Sequence, residues 1–92
     1  MGNPTENWPE TTKQLSAMLR DLRVGNPDVM KTFTNMAQVA LAPKALDTKT
    51  KELIALAIGV ATRCDDCIAF HAKAAVDQGA SEAEVQETLA MA

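Results

Sequence analysis

Both cysteines and the one histidine of this chain fall within nine residues, "RCDDCIAFH" at 63–71. Sulfur and imidazole at such spacing serve thiol redox chemistry, hold a metal ion, or fill a core. On a helix, offsets of three and seven residues rotate to about −60° and −20°, so Cys64, Cys67 and His71 share one stripe. Cα atoms three apart lie about 5–6 Å from each other, inside the range a disulfide bridges. His71 stands one turn beyond Cys67 but two turns, about 10 Å, from Cys64, so the imidazole helps Cys67 first. Cys64 stands at the helix start, where unpaired amide N–H groups and the helix dipole favour a thiolate. Asp65 and Asp66 oppose that effect, since nearby negative charge disfavours another anion. Geometry alone leaves open which sulfur attacks.

Competing readings carry different weights. Packing explains one buried cysteine better than two plus the sole histidine on one stripe. A zinc site built on the two thiolates and the imidazole needs a fourth ligand, such as Glu52 or an aspartate, and structural zinc sites usually draw a second ligand pair from a separate segment. Attachment of c-type haem requires histidine directly after the second cysteine, and Ile68 stands there. A thioredoxin carries the same C-x-x-C on a strand-and-helix unit, whereas this chain shows no strand pattern. Glu52, at the entrance to an apolar run, is either a solvated first-turn acid or a carboxylate facing the interior, placed to accept or deliver a proton.

These residues must be positioned by helices, because β-branched alternation is missing. The first runs from about Glu10 to Val24, with Leu15, Met18, Leu19 and Leu22 on its apolar stripe and Gly25 as a left-handed cap. Asn26-Pro27-Asp28 opens the second as N-cap, first-turn proline and first-turn acid. Val29, Phe33, Met36, Ala37, Ala40 and Leu41 form its expected buried face, and Pro43 ends it. Asp47 caps a third, Thr48 to about Thr62, apolar on nearly every side past Glu52 and so expected at the centre of the fold. The fourth spans about Cys64 to Gly79. Ser81 and Glu84 make a capping box for a fifth, still running at Ala92. Residues 1–9, broken by Pro4 and Pro9, read as a flexible lead-in, in which Trp8 pins the segment to a neighbour; 10–92 read as one all-α domain.

With 92 residues, 47% of them hydrophobic, the chain can pack a core, yet a domain this small with apolar helix faces favours self-association. A formal charge of −3 and nine scattered Lys and Arg residues argue against a nucleic-acid partner. The first twenty residues lack the apolar stretch of a secretory signal, and the run Leu53 to Ala61 is too short to span a bilayer. A soluble, cytoplasmic protein is expected, where thiols stay reduced and a C-x-x-C pair suggests redox cycling or metal binding before a permanent staple.

The stretch "LDTKTKELIALAIGVATRCDDCIAFHAKAAVDQGAS" closely resembles the core of the carboxymuconolactone decarboxylase family, specifically its alkylhydroperoxidase D-like branch. An E-x11-C-x2-C-x3-H pattern carries the resemblance together with its helical surroundings. The resemblance implies that Glu52, Cys64, Cys67 and His71 form a redox site, and that the fold is all-helical and assembles into trimers or hexamers. It also implies peroxidase activity without metal or flavin, with a hydroperoxide as substrate and a dithiol as reductant. It favours Cys67 as the attacking thiol and Cys64 as its resolving partner. Some members carry a further histidine between the cysteines; Asp66 stands there, so a relay through that residue cannot operate. The length is that of short, stand-alone members rather than of the two-repeat enzyme. Two rival functions remain: lactone-acid decarboxylation, for which His71 and Arg63 could serve while the thiols stood idle, and a non-catalytic assembly module that senses oxidation or holds zinc.

Overall fold

The computed structural model describes residues 7–92, which form α1 (Trp8–Gly25), α2 (Pro27–Leu41), α3 (Thr48–Ala61), α4 (Asp65–Asp77) and α5 (Glu82–Met91). The domain is all-α, and among the described residues there is no strand. No described helix is long and apolar enough to cross a membrane.

Local chemistry accounts for most boundaries. The Asp47 carboxylate accepts the Thr50 N–H at 2.7 Å and opens α3. Ser81 and Glu84 form the expected capping box of α5, with Ser81 Oγ accepting from Glu84 N–H at 3.1 Å and Glu84 Oε1 accepting from Ser81 N–H at 2.9 Å. Two boundaries differ from expectation. The helix α1 begins at Trp8, capped by the Asn7 side chain, so Trp8 and Pro9 belong to it rather than to a lead-in; residues 1–6 of that segment lie outside the described residues. Proline is tolerated there because a first-turn N–H has no helical partner. Gly25 is helical, not left-handed, since α1 continues until Asn26, whose N–H donates to Leu22 O at 2.8 Å. Asn26 precedes α2 as its N-cap, but its side chain makes no capping hydrogen bond.

The helix α3 packs chiefly on α4 and also meets α5 and α2, while α1 lies against α4 and α2. Its Glu52, Leu56 and Gly59, one stripe at i, i+4 and i+7, are buried. In α4 the buried residues are Ala69 and Ala75. Lys51 Nζ donates to Ala40 O at 2.8 Å and Ala42 O at 2.6 Å, and Thr48 Oγ1 donates to Leu41 O at 2.8 Å. These bonds satisfy carbonyls that the end of α2 leaves without helical donors, and they fix α2 to α3.

The expected buried face of α2 is corrected. Val29, Phe33 and Met36 are 68%, 56% and 63% exposed, and Ala40 is exposed too; Ala37 and Leu41 are half-buried. Met30 instead supplies the buried contact. Periodicity identifies an apolar face correctly but cannot say that the same chain covers it. The centre position expected of α3 holds on one side only, because Ile54 and Ile58 remain exposed.

Lys49 Nζ lies 2.8 Å from Glu84 Oε2 and ties α3 to α5. That hydrogen bond, with the Ser81 backbone N–H second, holds the Glu84 carboxyl below its ordinary value, and the Thr50 side chain and N–H do the same for Asp47. A carboxyl whose folded value is depressed adds stability above its unfolded value of about 4, and the contribution vanishes as pH falls through the lower folded value. Acid titration followed by circular dichroism should therefore show stability falling below about pH 4. In Lys49→Met the part of that loss due to Glu84 should shrink; an unchanged acid profile would contradict the assignment.

Candidate functional site

Three residues, 62–64, join α3 to α4, and the turn that they make sets the site. Arg63 N–H donates to Val60 O at 3.1 Å and Cys64 N–H to Gly59 O at 2.9 Å, while Arg63 adopts φ 58°. This is the paired-bond ending in which the residue after the helix cap turns left-handed. The same ending closes α4, where Gly79 at φ 91° precedes the Ala80 N–H bond to Ala75 O. Glycine adopts that conformation freely; arginine does so at a cost of about 1–2 kcal/mol. The turn delivers Cys64 as the N-cap of α4.

In that place Cys64 Sγ accepts the Cys67 N–H at 3.2 Å, the bond that a serine or aspartate cap would make. Cys64 and Cys67 are joined by a disulfide within one helical turn, with Cα atoms 5.2 Å apart, and both are half-buried. Asp65 and Asp66 occupy the first turn, where the dipole favours acids.

Beneath the sulfurs, α3 and α4 touch through Gly59. A Cβ at that position would lie 3.0 Å from Cys67 Cβ and 3.4 Å from both the Cys67 carbonyl carbon and the Ile68 nitrogen. One turn farther along α4, His71 Nδ1 lies 3.1 Å from Glu52 Oε2. The Glu52 side chain is 3% exposed and the His71 side chain 33%, so the carboxylate is the inner member and the imidazole the link towards solvent. A carboxylate oxygen accepts from Nδ1–H, which fixes the ring and leaves Nε2 as the nitrogen able to exchange a proton.

The four residues singled out in the sequence thus form two bonded pairs, Cys64 with Cys67 and Glu52 with His71, linked through α4, where His71 follows Cys67 by four residues. Glu52 is the buried carboxylate, not the solvated first-turn acid. The spacing of Cys64 and Cys67 suits a disulfide as expected. Among the described residues no group of three or more His, Cys, Asp or Glu side chains is arranged to hold a metal ion. Two residues that shape the site were not read as doing so. Gly59 had a signal, since a glycine inside an apolar helix weakens it unless close packing requires it. Arg63 had none, because nothing about arginine marks a left-handed turn.

Comparison with known proteins agrees with the geometry. Residues 27–92 match the sequence profile of the Carboxymuconolactone decarboxylase family. An uncharacterized protein of Haemophilus influenzae is 42% identical over 69 residues, 75% of this chain and 61% of that protein. An uncharacterized protein of the cox locus of Paracoccus denitrificans is 34% identical over 74 residues, 80% of this chain and 67% of that protein. The chain therefore spans under two-thirds of the Haemophilus protein's length. The crystal structure of an apo carboxymuconolactone decarboxylase family protein from Legionella pneumophila superposes with a TM-score of 0.87 at 42% identity, covering 91% of this chain and 75% of that one.

The close contact at position 59 can be tested directly. A methyl there meets the first carbon of a disulfide-bonded side chain and the α4 backbone, neither of which can swing aside. Gly59→Ala should lower stability by about 1–3 kcal/mol, the range for overpacking, despite alanine's better helix propensity. Denaturant unfolding measures this; a variant as stable as the parent would mean that α4 yields to the methyl.

Proposed function

Since this chain belongs to the carboxymuconolactone decarboxylase family, and carries a C-x-x-C disulfide one helical turn from a histidine paired with a buried carboxylate, we propose that it is a thiol-dependent peroxidase of the alkylhydroperoxidase D-like kind. The observation that carries this reading is the disulfide itself, which closes within one helical turn, so that opening and closing it requires no refolding.

In the reduced protein, the Cys67 thiol gives its proton to His71 Nε2, with Glu52 on the far nitrogen stabilising the imidazolium. The Cys67 thiolate attacks the terminal oxygen of a hydroperoxide and the O–O bond breaks. The departing alkoxide takes the proton from His71 and leaves as an alcohol, and Cys67 becomes a sulfenic acid. The Cys64 thiolate, favoured by the Cys67 N–H and the helix dipole, attacks that sulfur. The disulfide forms and hydroxide leaves, protonated to water by the proton that Cys64 gave up. An external dithiol then attacks the disulfide, passes through a mixed disulfide at Cys64, and departs oxidised with both cysteines reduced. The sum is one hydroperoxide and one dithiol consumed, one alcohol, one water and one external disulfide formed. No metal or flavin takes part. The reductant is a dithiol protein or small dithiol, and the reducing cytoplasm is the compartment in which such cycling operates.

Coupled assays of organic hydroperoxide reduction with several dithiol donors test this. Cys67→Ser should abolish consumption, and Cys64→Ser should leave a trappable sulfenic acid without turnover. His71→Ala should slow the first step by about 10²-fold, the lower end for a positioned acid–base group. Normal peroxide consumption by Cys67→Ser would remove the assignment. Survival of a lactone-acid decarboxylase activity after both thiols are alkylated would favour that chemistry instead.

A further inference from the structure

We infer that Asp65 and Asp66 select the reductant of the Cys64–Cys67 disulfide by charge, favouring a dithiol set in positively charged surroundings and slowing one that carries negative charge. This rests on the proposed cycle, in which an external thiolate opens the disulfide. The two aspartates are the residues that the disulfide encloses, in the first turn of α4. Asp66 is exposed, and Asp65 and both cysteines are half-buried, so a thiol that reaches the disulfide does so at the surface, beside the acids. Consecutive Cα atoms lie about 3.8 Å apart, which keeps both carboxylates within about 8 Å of the sulfurs. That is about one screening length at physiological salt. Little offsets them. Arg63 is the only lysine or arginine from 52 to 72, so residues 63–66 set one positive charge against two negative ones. Glu52, the other acid of that stretch, is buried and paired with His71.

Reduction brings negative charge to this place. The incoming thiolate attacks Cys64 Sγ, the S–S bond breaks, and its electron pair leaves with Cys67 as a thiolate that takes a proton through His71. A second thiolate attacks the reductant's sulfur in the mixed disulfide and expels Cys64 as a thiolate, which is protonated from water; two electrons have passed from reductant to protein. The attacking sulfur is anionic in every reductant, so selection lies in the charge beside it. A unit charge about 8 Å from a carboxylate in water is favoured or disfavoured by about two- to threefold. Two carboxylates act with opposite sign on a cation and an anion, and with Arg63 opposing them about tenfold separates the two. An acid in the first turn also steadies the helix through its dipole, but that effect is the same for all reductants.

Reduction of the full oxidised chain by cysteamine, mercaptoethanol and mercaptoethanesulfonate, thiols that end in a cation, a hydroxyl and an anion, tests this without any hydroperoxide. Rates are followed by alkylating the freed cysteines, expressed per thiolate, and divided by the rates of the same thiols on a small uncharged disulfide. The cationic thiol should exceed the anionic one by about tenfold, with the neutral one between, and the ratio should shrink as salt is raised. Asp66→Asn should lower the ratio by about threefold, and Asp65→Asn combined with Asp66→Asn should bring it to about one or below. Asp77→Asn removes a charge from the same helix about 15 Å from Cys67 and should keep the parent ratio. If the double variant loses helical circular dichroism, Asp66→Asn alone carries the test. A parent without preference overturns the inference, as does a double variant with the parent's ratio. So do variants whose rates with all three thiols change by one common factor, the result of a helix-start role alone. A chain that consumes no peroxide yet shows the selection loses the peroxidase reading and keeps this one; a chain that consumes peroxide with a flat ratio loses this one alone.

Discussion

A carboxylate placed where water cannot reach must find a donor, and the buried Glu52 finds one in His71 on the neighbouring helix. The site depends on this constraint. With Glu52 on the inward stripe of α3, the imidazole of α4 must come to it, and that sets how far α4 slides along α3. Gly59 lies two turns farther along the same stripe, and its missing side chain allows Cys67 to come into contact. The two contacts, one polar and one steric, fix the pair of helices at two points. Cys67 and His71 are then held on the same side of α4 with one turn between them.

The turn between the helices completes the arrangement by choosing what begins α4. Arg63 accepts a left-handed conformation that glycine would adopt freely, and in return the chain reverses within three residues and presents a sulfur as the helix cap. A sulfur there receives an amide N–H and the positive end of the helix dipole, while its partner one turn later stands a further turn before His71. The two sulfurs of one disulfide therefore have unlike surroundings. That asymmetry suits a cycle in which one sulfur meets the oxidant and the other resolves it and meets the reductant.

Much of this was legible in the residues. Asp47 and Ser81 with Glu84 announce helix starts by local hydrogen bonds that need no tertiary partner, and C-x-x-C with His71 announces a shared stripe by arithmetic. Glu52 was ambiguous for a physical reason. A first-turn acid and a buried acid look the same until the packing partner is known, and that partner stands nineteen residues away. Arg63 and the helical Gly25 show the opposite failure. Propensity assigns the left-handed position to glycine, yet the hydrogen bonds that end α3 put arginine there, and those that continue α1 keep Gly25 helical.

The α2 stripe shows where sequence patterning stops being informative even when read correctly. Alternation of apolar and polar residues reports that a face is to be buried, because water is its unfavourable surrounding, and it is silent about whose atoms do the burying. The exposed arc of α2, about a quarter-turn from the buried one, is surplus to the contacts made with α1 and α3. The buried apolar side chains among the described residues are as few as Met30, Leu56, Ala69 and Ala75, and large apolar side chains stay exposed on all five helices, so patterning overstates how much one chain of this size buries.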